Sequence, residues 1–128
     1  MKIALIGSRG FVDYPLFCSK LDSLIRRGVL TITEVISGGN GAGTLAARFA
    51  RERGLPLHVF APNYARYGRS APLVRNEAIV EACEGLVAFH DMASKGTAHA
   101  LRLAQSRAKR VIIVVPVPGS PDGEAAGH

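Results

Sequence analysis

Five short, largely apolar runs punctuate the chain: KIALIG (2–7), ITEVIS (32–37), LPLHVF (55–60), LVAF (86–89) and RVIIVV (110–115). Runs that are apolar rather than alternating suit strands buried on both faces of a parallel sheet. Between them, apolar residues recur at three- and four-residue spacing, which predicts helices from Pro15 to Gly28, from Thr44 to Gly54, from Leu73 to Glu84 and from Gly96 to Ala108. A parallel strand can follow its predecessor only by a crossover, and right-handed crossovers place helices on both faces. The expected fold is therefore three-layer α/β with a mostly parallel five-stranded sheet. At 128 residues, 48% of them hydrophobic, the chain has the size of one domain with one core. Residues 1–115 are expected to form it, and the Pro- and Gly-rich stretch 116–128 to be a disordered tail.

Other features narrow the possible functions. The first apolar run is too short for a signal peptide and no window is long enough for a membrane span, so a cytoplasmic protein with no membrane partner is expected. Cys18 and Cys83 fall in helical stretches without ligand-spaced partners, and His58, His90, His99 and His128 are scattered, so no metal and no cofactor are expected. The formal charge of +6 is carried by twelve arginines and four lysines. Arginine's planar fork suits phosphate. The bases are spread along the chain with acids interspersed, however, which solvated helix faces explain as well as a basic binding face does.

In an open parallel sheet, ligands bind beyond the carboxyl ends of the strands, where the connections diverge. The first strand is followed by Gly7-Ser8-Arg9-Gly10: a sharp turn, a hydroxyl and a fixed positive charge. After the second comes Gly38-Gly39-Asn40-Gly41-Ala42-Gly43, four glycines in six residues, opening a helix at Thr44. Free amides and the positive end of the helix dipole converge at such a turn and suit an anion. The cluster fits neither G-x-G-x-x-G nor a Walker loop, which argues against a simple dehydrogenase and an NTPase. The long connection 61–72 carries Tyr64, Arg66, Tyr67 and Arg69, residues able to stack a base and hold phosphate or simply to pack at the rim. Arg75 and Asn76 then stand near the start of a helix with little core value, and Ser94-Lys95-Gly96-Thr97 opens another, either as an anion site or as a serine cap beside a solvated lysine.

GSR, SGGNGAG, RN and SKGT in this order resemble the SLOG superfamily, in particular its YspA/cpYpsA-related branch, over residues 2 to about 115. The resemblance implies a Rossmann-like fold that binds a nucleotide or a nucleotide-derived, ADP-ribose-like ligand. The matching residues are Gly7, Ser8, Arg9, Gly38, Gly39, Gly41, Arg75, Asn76, Gly96 and Thr97, with Asp13 as a ribose contact. With Asn40, Gly43, Thr44, Ser94 and Lys95 from the turns themselves, these form the expected ligand site. Superfamily relatives that pair through helices imply a homodimer. Two departures stand out. Gly43 replaces an acid common in this branch, and Ala100 stands where Lonely Guy-type enzymes, which release the base from nucleoside monophosphates, carry a glutamate. An N-glycosidase or phosphoribohydrolase would then need Asp91 or Glu77 as its carboxylate. A single-stranded nucleic-acid binder, drawing on the positive charge, is the third alternative.

Overall fold

The computed structural model describes residues 1–39 and 42–119. Its strands are β1 (Lys2–Gly7), β2 (Glu34–Ser37), β3 (Leu57–Val59), β4 (Gly85–His90) and β5 (Val111–Pro116). Its helices are α1 (Tyr14–Arg26), α2 (Ala42–Arg53), α3 (Tyr64–Tyr67), α4 (Ala71–Ala82) and α5 (Lys95–Ser106), with a single 3₁₀ turn at Gly68–Ser70. The sheet runs β3-β2-β1-β4-β5 and every pair is parallel. The chain thus winds outward from β1 to β3, crosses back through α4, and winds the other way from β4, leaving the switch point between β1 and β4.

Strand periodicity divides the core into two layers. Ile3, Leu5, Val35, Val87 and Phe89 face α1 and α2, where Phe17, Leu21 and Phe49 meet them. Ala4, Ile36, Leu86 and Ala88 point the opposite way, onto Ile79 and Val80 of α4 and Leu101 and Ala104 of α5. Strand β4 is buried along its whole length, as a central strand covered on both sides must be, whereas β3 at the edge is exposed at all three positions. The five-stranded three-layer architecture read from the sequence is the observed one, with a sheet that is parallel throughout.

The differences are local. Strand β3 is shorter than the run 55–60 because Leu55 donates back to the Ala50 carbonyl, closing α2, and Pro56 has no N–H to offer a ladder. The connection 61–72 is not irregular throughout: the Asn63 side chain accepts from the Arg66 N–H at 3.1 Å and starts α3. Pro116 closes β5, and Val117 is buried and donates to the His90 carbonyl, so ordered structure runs past the expected boundary at 115. The rest of the expected tail, from Ser120, lies outside the described residues.

Asp13 caps α1, accepting the Leu16 N–H at 3.0 Å, with Pro15 in the first turn where a missing N–H does no harm. Asp13, for which the resemblance implies a ribose contact, is the residue that caps this helix. Asp13→Ala is expected to lower stability by about 1 kcal/mol, measured as a shift in urea midpoint with unchanged slope; no shift would mean that the cap contributes nothing.

Candidate functional site

The carboxyl ends of β1 and β4 are stapled together before any ligand is considered. Ser8 donates its N–H to the Phe89 carbonyl at 2.9 Å, and its Oγ accepts the Asp91 N–H at 2.9 Å. The Asp91 carboxylate in turn accepts the N–H groups of Ala93 and Ser94 at 2.9 and 2.8 Å, closing the turn that leads into α5. Burial pushes the Asp91 carboxyl upward, yet these hydrogen bonds, with Ser8 and the neighbouring His90, outweigh it and hold the group below the ordinary carboxylate range. Ser8, expected to meet the ligand, is therefore buried and committed to this staple.

Beside the staple opens a cleft that is continuous with solvent. Its polar lining is Arg9 from the β1 turn, Gly38 from the β2 turn, Tyr64 of α3, Arg75 and Asn76 of α4, and Ser94, Gly96 and Thr97 at the start of α5. Leu5, Ile6, Pro72, Ile79 and Ala100 supply apolar wall. Turns that are far apart in sequence thus meet along one rim at the switch point, where the fold expects a ligand.

Arg75 is the organising side chain. Its Nη1 donates to the Gly38 carbonyl at 2.8 Å and its Nε to Asn76 Oδ1 at 3.0 Å, tying α4 to the end of β2. Burial pushes its guanidinium below the usual arginine value and nearby Tyr64 acts the opposite way, but an arginine stays charged. Among the described residues Arg75 forms no ion pair, and neither does Arg9; Arg48, Arg53 and Arg107, by contrast, are paired with Glu52, Asp22 and Glu81. Asn76 is buried, and its Nδ2 reaches the Gly96 carbonyl at 3.2 Å and His99 Nδ1 at 3.1 Å. His99, absent from the expected site, was not legible because its contact spans 23 residues and follows no local pattern.

Two glycines have structural reasons that the sequence did not reveal. A Cβ on Gly38 would lie 2.7 Å from Arg75 Nη1, and Gly39 has φ +88°, a conformation side chains disfavour. Part of the glycine cluster therefore serves chain geometry and the approach of Arg75, rather than anion binding alone. Gly38→Ala is expected to push the flexible guanidinium aside at under about 1 kcal/mol of stability while weakening ligand binding about tenfold, the worth of one charge-assisted hydrogen bond. Thermal melts, with the arginine Nε–H resonance as a reporter, check this; an unmoved resonance would contradict it.

The remaining expected residues divide as follows. Gly7 lines the cleft, and Gly39 adjoins Gly38 next to it. Helix α2 begins at Ala42 rather than Thr44, so Gly43 belongs to its first turn, and Thr44 is exposed outside the cleft lining. Asn40 and Gly41 lie outside the described residues. Lys95 is exposed and does not line the cleft. Ser94 makes no side-chain cap bond; its Oγ accepts instead from Thr97 Oγ1 at 3.2 Å. In the 61–72 segment Tyr64 reaches the cleft, while Arg66 stacks over Tyr67 with its guanidinium carbon 5.1 Å from the ring centre. Among the described residues, no group of three or more His, Cys, Asp and Glu could hold a metal ion.

The family model for YspA, cpYpsA-related SLOG proteins matches residues 1–67 of the 128, covering the turns after β1 and β2 and running through α3. The chain belongs to this family. No curated protein and no solved structure matches it significantly. Membership in the SLOG family points to a nucleotide-related ligand in general. The α4 and α5 residues of this SLOG protein lie beyond the matched span, and their share in the site rests on the geometry above. No helix among the described residues is long and apolar enough to cross a membrane.

Proposed function

We propose that this cleft binds a phosphorylated nucleotide or an ADP-ribose-like derivative. The observation that carries the reading is the charge of the lining: two arginines without ion pairs and, among the described residues, no carboxylate. The first turn of α5 adds amides without intrahelical acceptors. A Cβ at Gly96 would meet nothing within 4 Å, so protein packing does not call for a glycine there, and its absence of a side chain leaves the turn open to an anion. Phosphate then sits against Arg75, Arg9 and this turn, with Tyr64 at the rim available to a base or ribose.

Hydrolysis of an N-glycosidic bond finds less support. Ala100 forms part of the wall where a catalytic glutamate is expected, Asp91 is turned into its own loop, and Glu77 is exposed outside the lining. A nucleic-acid surface is likewise weakened by the pairing of Arg48, Arg53 and Arg107 with acids. The test is a thermal-shift screen against nucleotides, dinucleotides and ADP-ribose derivatives, with mass spectrometry of anything carried through purification. Saturable stabilisation without release of free base over hours is expected. Silence across that panel would overturn the binding reading, and release of base would replace it with the enzymatic one.

A further inference from the structure

The polar chain behind the cleft has a direction fixed at both ends. Arg75 Nε carries a hydrogen and accepts nothing, so the Asn76 atom 3.0 Å away is the carbonyl oxygen. The Gly96 carbonyl accepts and donates nothing, so the atom 3.2 Å from it is the amide nitrogen. Turning the amide over would oppose two donors at Arg75 and two acceptors at Gly96. With Nδ2 fixed in this way, His99 Nδ1 at 3.1 Å has to accept, which demands a neutral ring with its hydrogen on Nε2. A proton on Nδ1 would set N–H against N–H beside an asparagine that is only 6% exposed.

We infer that His99 is a positioning residue for Arg75: as a neutral acceptor it holds the Asn76 amide, Asn76 holds the guanidinium at the cleft, and protonation of the ring releases that arginine and weakens ligand binding. The link to affinity rests on the binding reading above; the link from His99 to Arg75 does not.

The surroundings push in the same direction. Burial lowers the His99 pKa most, Arg102 on α5 lowers it further, and Glu77 on α4 opposes them without prevailing. The folded protein therefore takes this proton less readily than the unfolded chain. The network is intact above the ordinary imidazole value of about 6.5, and its contribution to stability drains away as pH falls from there toward the depressed folded value.

ADP-ribose is a suitable probe because its pyrophosphate diester keeps a constant charge through this range. Calorimetric titration from about pH 7.5 to about pH 5 is expected to show at least a fivefold loss of affinity for the native protein, the scale of a modest coupling. His99→Asn places an amide oxygen that accepts from Asn76 at every pH; it should keep the neutral affinity and give a flat profile. An acid loss that persists in His99→Asn would overturn the inference, assigning the effect to another group. A second arm needs no ligand: long-range ¹⁵N spectra of the native protein should show Nε2–H and bare Nδ1, and the Arg75 Nε–H resonance should move with the same midpoint as the His99 ring. A hydrogen on Nδ1, or an arginine resonance indifferent to that midpoint, would sink the inference. If these spectra are as expected while ADP-ribose fails to bind at any pH, the His99–Arg75 coupling stands and the binding reading is what falls.

Discussion

Truncating Phe17 to alanine is expected to remove about 3–5 kcal/mol of folding stability, a large part of the ~5–15 kcal/mol that holds a domain together. Phe17 has no exposed surface. Its ring lies 4.7 Å from that of Phe89 on β4, meets Phe49 of α2 edge-on at 6.0 Å and stacks with Tyr14 at 6.1 Å. It therefore joins α1, α2 and strand β4, and no neighbour can close the void without abandoning another contact. Urea denaturation reads the effect as a lower midpoint at similar slope. A loss below about 1 kcal/mol would mean that the layer repacks freely, contrary to the close-packed core described here.

The largest effect on binding is expected at Arg75. Arg75→Ala leaves the Gly38 carbonyl and Asn76 Oδ1 without their donor and removes the better-anchored of the two cleft cations. Ligand affinity should fall about 30- to 100-fold, the range of a charge-assisted pair lost from a partly buried site. Arg75→Lys separates charge from shape: a lysine keeps the charge but cannot reach both oxygens as a planar fork, so most of the loss should remain. Exposed Arg9, by contrast, should matter less, because solvent screens its charge. Calorimetry with the tightest ligand from the nucleotide screen provides the measurement. Native-like affinity in Arg75→Lys would reduce the role of this side chain to a point charge.

Both residues show what can be read from a chain of this kind. Phe17 was legible as one position in the periodic set Phe17, Leu21, Leu24 and Ile25, and its helix forms where that pattern and Pro15 place it. Arg75 was legible as a polar residue that the core did not need and as half of the RN pair that matches the family pattern, but its partners were not. That it closes onto Gly38, 37 positions earlier, depends on α4 crossing back over the sheet beside β2. The same reasoning accounts for what the turns alone left open. Ser8 and Lys95 belong to turns that do reach the switch point, but a turn's position does not say which side chains line the cleft. Ser8 is consumed by the β1–β4 staple, and Lys95 projects to solvent. His99 stayed hidden for the converse reason, since nothing local distinguishes a helical histidine that meets an asparagine from one that meets water.

The sequence by itself determined the alternation of strands and helices, the parallel three-layer class and the family, because hydrophobic period and turn chemistry are local properties of the chain. Tertiary structure alone decided the order β3-β2-β1-β4-β5, the meeting of four distant turns in one cleft, and the direction of the hydrogen bonds from His99 through Asn76 to Arg75. The physical reason is that a hydrogen bond's donor and acceptor are chosen by whichever groups packing brings within about 3 Å, and packing joins residues that the chain keeps tens of positions apart.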